Sequence, residues 1–408
     1  PITAFSAVAL TAEDLPELIA RAYAVFDSER PRPVHISVPL NVLSAPVARD
    51  WSNDVVRRPG RGTPTATALD EAVARLHGAK RPMIIAGGGA LNAAQELAEL
   101  STRLAAPLFT SVAGKGLLPP DAPLNAGSSL CVEPGWNLIA EADVVLAVGT
   151  EMADTDFWRE RLPLNAELLR VDIDPRKFND FYPCAVALHG DAQRALAAVL
   201  ERLSPDVRDA SAAIGKVAAL REAIQAGHGP LQSIHQAILQ RIAAELPANA
   251  FISTDMTQLA YTGNYAFASE ATRSWLHPTG YGTLGYGLPA GIGAKFGAPQ
   301  RPGLVLVGDG GFLYTAQELA TAVEELDSPL VVLLWNNDAL GQIRDDMIGL
   351  DIEPIGVLPR NPDFAALGRA FGCTVTQPQN LAELQTDLRH GFKRNGVTLI
   401  ELKHACVR

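Results

Sequence analysis

The sequence predicts an α/β protein made of two doubly wound parallel-sheet domains preceded by the tail of a third. Three observations predict this. Continuous apolar runs such as Leu304–Val307 and Leu330–Trp335 have the length and character of strands buried on both faces. These runs alternate with stretches of helical period, which implies a parallel sheet covered by helices. The runs also end in Gly, Asn or Asp-Pro, the residues that turn a chain. The length of 408 residues suits two or three domains, and 48% hydrophobic against 19% charged residues supports large cores.

The elements follow in order. Residues 11–26 predict a helix: Thr11 and Asp14 resemble a capping box, and Leu15, Leu18, Ile19, Ala22 and Val25/Phe26 form its apolar stripe. Residues 34–38 alternate as a strand that Pro39 ends. One helix and one strand are too little to fold alone, so residues 1–43 read as the end of a domain whose body lies upstream; the first residue is Pro1. Residues 44–65, rich in Pro, Arg, Ser, Gly and Thr, read as a linker. A central domain is expected over 66–203. It has a helix at 67–77, strand 82–86 followed by Gly87-Gly88-Gly89, a helix near 93–104, and strands 107–112, 143–148 and 168–173. Pro205 and the loop Gly227-His228-Gly229-Pro230 mark 204–230 as a second linker, and 231–408 forms the last domain.

A net charge of −11 argues against nucleic-acid or anionic-membrane partners. Cys131, Cys184, Cys373 and Cys406 are far apart and lack metal-ligand spacing, so free buried thiols in a cytoplasmic protein are expected. No apolar run reaches the ~18 residues of a membrane span, and no signal peptide is visible.

The chemistry concentrates after two strands. Gly308-Asp309-Gly310-Gly311 ends one buried run. Thr315 and Glu318 read as a capping box for a helix reaching about Leu326, and Asn336-Asn337-Asp338 ends the next run. Carboxyl ends of parallel strands share one sheet edge, where ligands bind, so Asp309 and Asn337 should lie close together. A carboxylate and an amide oxygen are hard donors suited to Mg²⁺ or Ca²⁺. Gly310 and Gly311 let backbone N–H groups approach an anion. A metal-bridged diphosphate satisfies all of these features, whereas either segment alone could be an ordinary turn.

This arrangement resembles the thiamine diphosphate-binding motif, and the chain resembles the acetolactate synthase and pyruvate oxidase-like family along its whole length. The resemblance makes residues 1–43 the end of a pyrimidine-binding domain and 231–408 the diphosphate domain. It implies thiamine diphosphate and Mg²⁺, with Asp309, Asn337 and the carbonyl of Ala339 as metal ligands and Leu340 at the cofactor. Thr279–Ala294 resembles the stretch holding the aminopyrimidine ring: Leu284 matches the wedge that bends the cofactor, and Gly282 the residue whose carbonyl receives its 4′-amino group. Thr257 and Gln258 match the loop at the diphosphate end. The glutamate that activates the cofactor in this family would lie upstream, so this chain alone is expected to be inactive. The family site also implies a homodimer or homotetramer. Glu151 stands where acetolactate synthases tend to carry Arg, and the stretch around Asn125–Ser128 lacks their Gly-Met-His-Gly, so no FAD is expected.

The family reaction is decarboxylation of a 2-oxo acid through a C2 ylid and an enamine. Protonation then gives an aldehyde, and carboligation a 2-hydroxy ketone. Asp345 and Asp346, on the expected helix after Asn337, could pair with a cationic substrate end. That run also resembles bacterial 5-guanidino-2-oxopentanoate (2-ketoarginine) decarboxylases. His277 is a further candidate pocket residue. A decarboxylase of a basic 2-oxo acid, an acetolactate synthase-like carboligase and a non-catalytic scaffold all remain open.

Overall fold

The computed structural model describes residues 2–47, 50–51 and 60–407. The N-terminal unit holds β1 (Ser6–Val8), the helix Asp14–Ser28 and β2 (His35–Ser37). Asp14 accepts from the N–H groups of Leu10 and Thr11 at 2.8 and 2.9 Å, the reciprocal half of the expected capping box. β1, which the sequence reading did not predict, pairs with β2 in parallel. The residues of the expected first linker at 48–49 and 52–59 lie outside the described residues.

The central unit contains β3 (Pro82–Ala86), β4 (Leu108–Thr110), β5 (Asn125–Gly127), β6 (Val144–Val148), β7 (Glu167–Asp172) and β8 (Val186–His189). All pair in parallel, in the order β5-β4-β3-β6-β7-β8. β5 and β8 go beyond the predicted strands; both are short, and β8 alternates buried and exposed residues as an edge strand does. The sheet buries both faces. Ile84, Leu146 and Leu169 pack into one core, while Met83, Ile85 and Val145 pack into the other.

The segment 204–230 is more than a linker. It holds the helix Ser211–Ala226, whose Val217 and Leu220 are buried. Arg221 of this helix donates to the carbonyls of Pro120, Ala122 and Asn125 at 3.2, 3.0 and 2.8 Å. The many alanines favour a helix. Pro205 precedes it and Gly227 caps its end, so the two breakers bracket a helix rather than a continuous linker.

The last unit contains β9 (Phe251–Thr254), β10 (Trp275–Leu276), β11 (Gly303–Gly308), β12 (Leu330–Asn336), β13 (Thr374–Thr376) and β14 (Val397–Lys403). These too are parallel, in the order β10-β9-β11-β12-β14-β13. Leu304 and Leu306 enter one core and Val305 and Val307 the other, so a four-residue apolar run serves both faces. The two units are joined at Lys115. Its buried ammonium donates to the carbonyls of Gly263, Asn264 and Phe267 at 3.2, 2.8 and 2.7 Å, at the C-terminus of the helix Gln258–Ala266.

Two of the four cysteines, Cys131 and Cys373, are buried as expected; Cys184 and Cys406 are only partly so, and all four are free. Among the described residues no helix is long and apolar enough to cross a membrane.

Candidate functional site

In the last sheet, β10 lies on one side of β9 and β11 on the other, so the order in which strands are added reverses at β9. A ligand crevice belongs at such a point, beyond the carboxyl ends of the strands. Thr254 pairs with Leu306, and Gly308 with Trp335. That register brings Asp255, Asp309 and Asn336-Asn337 to one edge.

Asp255, which is not among the residues expected from the sequence, organises this edge. It is fully buried. Its carboxylate accepts from the N–H groups of Met256 (2.8 Å), Gly285 (3.1 Å) and Gly287 (2.9 Å). Thr315 donates its hydroxyl to the Gly285 carbonyl at 3.1 Å. Together they fasten the loop that carries Gly282 and Leu284 across the ends of β9 and β11. Gly285 has φ +85°, and a Cβ there would come within 2.8 Å of the Tyr314 Cβ, so both conformation and space require glycine. The signal for Asp255 was available: it follows β9 as Asp309 follows β11.

The expected capping box is corrected by this bond. The chain turns helical immediately after β11, over Asp309–Thr315, and a separate helix spans Glu318–Glu325. Thr315 therefore ends a helix and serves the Gly285 loop, while the second helix has no side-chain cap.

Asp309 is buried, and burial raises its carboxyl above the usual range. The amide of Asn361 donates to Asp309 Oδ2 at 2.7 Å and also approaches Asn336 Oδ1 and Asp338 Oδ1, each at 3.2 Å. Three oxygens thus share the two hydrogens of one amide. An environment that gathers oxygens around so little positive charge suits a cation. Among the described residues no cluster of three His, Cys, Asp or Glu could hold a metal ion by itself. A cation here would need amide or carbonyl oxygens, water or ligand oxygens as well, as Mg²⁺ commonly takes. Asn361 lies in the irregular segment before the helix Phe364–Ala370 and carries no sequence signal.

Asn337 sits on the same edge, but no hydrogen bond joins it to Asp309. Its Oδ1 accepts from the Ala339 N–H at 3.2 Å, and its Nδ2 reaches Gln258 Oε1 at 3.5 Å. Gln258 in turn donates to Asp345 Oδ2 at 2.8 Å. Thr257 is buried against Gly308, and the Leu340 side chain packs where a Cβ on Gly310 would stand, 2.7 Å away. A Cβ on Gly311 would meet Asp255 Oδ1 at 2.8 Å. Thr257, Gln258, Gly310, Gly311, Asn337, Ala339 and Leu340 therefore converge with Asp309 on one edge.

The substrate candidates separate. Asp345 is engaged by Arg344 (2.7 Å) and Gln258. Asp346 instead lines a cavity of about 450 Å³ with His277, Gly282, Met256, Tyr261 and Gln342. The His277 ring is bonded at both nitrogens, Nδ1 to Thr254 Oγ1 at 2.7 Å and Nε2 to Asn264 Nδ2 at 3.1 Å. Since the amide can only donate, Nε2 accepts and Nδ1 carries the proton. Burial, with Lys115 nearby, pushes this imidazole down to about 4. His277 is thus a neutral wall of the cavity. Gly282 has φ +65°, and Leu284 is half-buried behind it.

Two family models and several known proteins match the chain. The family model described as thiamine pyrophosphate enzyme, central domain, matches residues 69–199. The one described as thiamine pyrophosphate enzyme, C-terminal TPP binding domain, matches residues 255–402. The chain is 79% identical to the probable 2-ketoarginine decarboxylase of Pseudomonas aeruginosa, over all of this chain and 73% of that protein. It is 28% identical to the large subunit of acetolactate synthase isozyme 1 of Escherichia coli, over 99% of this chain and 72% of that one. A probable acetolactate synthase large subunit of Methanocaldococcus jannaschii is also 28% identical, over 98% and 71%.

Proposed function

Because the chain belongs to the thiamine pyrophosphate enzyme family, we propose that it holds thiamine diphosphate and Mg²⁺ at the edge beyond β9, β11 and β12 and serves decarboxylation of a 2-oxo acid with a basic side chain. The observation that carries this reading is the 79% identity, along the whole chain, to a relative whose name gives 2-ketoarginine as its substrate. The cavity beside Gly282 supports it, since Asp346 lines it and, among the described residues, no lysine or arginine does.

In this reading Asp309, the Asn337 amide oxygen and the Ala339 carbonyl hold the metal. The N–H groups of Gly310 and Gly311, at the start of a helix, meet the diphosphate. Thr257, Gln258 and Leu340 border that end. Leu284 would pack against the rings of the cofactor, and Gly282 would offer its carbonyl to the amino group. When bound, thiamine diphosphate supplies the electron sink for the electron pair that CO₂ leaves behind. Asp255 fixes the loop that carries Gly282 and Leu284, and the neutral His277 keeps a second positive charge out of the substrate cavity.

We place the working site between two copies of the chain. Tyr281, between two cavity-lining glycines, is 94% exposed, and Leu350, Ile355 and Leu358 are exposed after the helix Gly341–Gly349. Apolar side chains grouped in this way suit a subunit contact.

The 28% identity to acetolactate synthases favours a second reading, a carboligase. The test supplies the full-length protein with thiamine diphosphate and Mg²⁺, then with 2-ketoarginine or pyruvate. CO₂ from 2-ketoarginine, with an aldehyde product, is the expected result. Acetolactate from pyruvate without CO₂ from 2-ketoarginine would replace the first reading by the second. Failure to bind the cofactor would leave a scaffold.

A further inference from the structure

The cavity of about 450 Å³ has a wall that the substrate reading did not use. Thr155, Asp156 and Trp158, from the central unit, line it opposite residues of the last unit. The short helix Asp154–Phe157 follows the glycine turn after β6, so the carboxyl edge of the central sheet delivers these side chains.

The charges in this cavity do not balance. Asp156 and Asp346 are its acidic residues. Among the described residues no Lys, Arg or His forms an ion pair with Asp156, whereas Glu151 on the same segment is paired with Arg30 and Lys177. Asp346 is exposed, and among the described residues its carboxylate accepts only an amide hydrogen, from Gln342 at 2.9 Å. The nearby ammonium of Lys115 is occupied by three carbonyls, and His277 is neutral. Burial, reinforced by Glu151 and Asp154, pushes the Asp156 carboxyl up to about 6. That is the behaviour of a half-buried acid with no cation beside it.

The aromatic wall points the same way. Trp158 has φ +49°, in the left-handed region that favours glycine and is unusual for a bulky residue, and it is 49% exposed. It meets Tyr261 edge-on, with ring centroids 5.5 Å apart. Burial, with Asp255 and then Asp346 adding to it, pushes the Tyr261 hydroxyl up to about 12, and Asp346 lines the same cavity as this aromatic pair. A guanidinium is a flat cation that stacks on aromatic faces and bonds carboxylates through a fork of N–H donors.

We propose that Asp156 and Trp158 of the central unit, with Asp346 of the last unit, seat the guanidinium end of the substrate and so set the preference for a basic 2-oxo acid. This rests on the decarboxylase reading above. It adds a consequence: the central unit selects the substrate, while the last unit holds the cofactor.

The test compares 5-guanidino-2-oxopentanoate with 2-oxooctanoate, an acid of similar length whose side chain is uncharged, in the full-length protein loaded with thiamine diphosphate and Mg²⁺. Asp156→Asn is expected to lower kcat/KM for the guanidino acid about 10- to 100-fold, mainly through KM, the scale of a lost charge-assisted pair, and to spare or improve the uncharged acid. Trp158→Leu is expected to raise KM for the guanidino acid alone. Titration of arginine into cofactor-free protein gives a readout apart from turnover, and its binding should weaken at least about 10-fold in Asp156→Asn by the same reasoning. Equal losses on both acids, with arginine binding unchanged, would overturn the proposal and leave Asp156 a structural residue. A wild-type protein that prefers the uncharged acid would instead overturn the basic-substrate reading itself.

Discussion

The central and last units share an architecture and differ in what they do with it. Each is a six-stranded parallel sheet that buries both faces, and each turns on glycines at the carboxyl ends of its inner strands. In the central unit those glycines pack against each other. A Cβ on Gly87 would stand 2.4 Å from the Gly149 carbonyl oxygen, and one on Gly89 would stand 2.9 Å from Gly149 Cα. The Gly87 N–H bonds to Val148 O and the Gly89 N–H to Gly149 O, both at 2.9 Å. In the last unit the glycines meet side chains instead: Thr257 faces Gly308, Leu340 faces Gly310 and Asp255 faces Gly311. The first edge spends its glycines on closing the backbone, the second on placing chemical groups. A shared fold therefore says little about which edge reacts; the side chains around its glycines decide.

The largest expected effect lies at the second edge. Asp309→Ala removes the only carboxylate proposed as a metal ligand, and affinity for thiamine diphosphate in the presence of Mg²⁺ should fall by at least about 100-fold, on the scale of losing a charged ligand contact. Calorimetric titration of the full-length protein measures it. Unchanged affinity would remove the metal from this edge and erase the contrast between the two units.

Next in size are two glycine substitutions that should part company. Gly87→Ala puts a Cβ against a backbone carbonyl that has no freedom to retreat, which should cost about 1–3 kcal/mol of stability. Gly310→Ala meets only the far end of the Leu340 side chain, which can turn aside. It should leave the melting temperature nearly unchanged and weaken cofactor binding. Differential scanning calorimetry with and without cofactor separates them. If Gly87→Ala weakened cofactor binding while leaving stability intact, the roles assigned to the two edges would be reversed.

Much of this contrast was legible in the sequence. Leu304–Val307 and Leu330–Trp335 are apolar at every position because both faces of their sheet are covered, and that continuity names a parallel strand. Asp309 and Asn337 were legible because each follows such a run, and strand ends of a parallel sheet meet. The short strands β1, β5 and β8 were not, because three or four residues at a sheet edge carry too little periodicity. The helix Ser211–Ala226 was hidden by the Pro and Gly beside it. Asn361 and Asp156 escaped for another reason. Their roles arise from distant elements brought into one space, Asn361 with Asp309 and Asp156 with Asp346, and no local pattern encodes such a meeting. Glu151 was noticed as a departure from a family pattern. The structure gives it work of another kind, tying Lys177 at 2.6 Å and Arg30 of the N-terminal unit.

The smallest expected effect concerns acid, and it should separate the two units by sign. His235 and His277 belong to the last unit, and burial pushes both down to about 4 from 6.5. An unfolded chain then binds more protons than the folded one between pH 6.5 and about 4, so the stability of this unit falls as pH drops through that window. In the central unit burial raises Asp156 to about 6 and also raises Asp172. There the folded state binds more protons between about 6 and 3.8, so acidification across that range stabilises it. Asp309, also raised by burial, offsets part of the loss in the last unit; two histidines against one carboxyl leave the net sign negative. Asp174, held at about 2 chiefly by Arg176, contributes only below 3.8. Two calorimetric transitions, followed from pH 7 to 4.5 without cofactor, should therefore move apart by about 5 °C, the scale of one or two kcal/mol in units of this size. His277→Gln should reduce the downward movement of the last unit and leave the other transition where it was. Transitions that move together would mean that the Lys115 junction, rather than each sheet's own buried groups, governs how both units respond to acid.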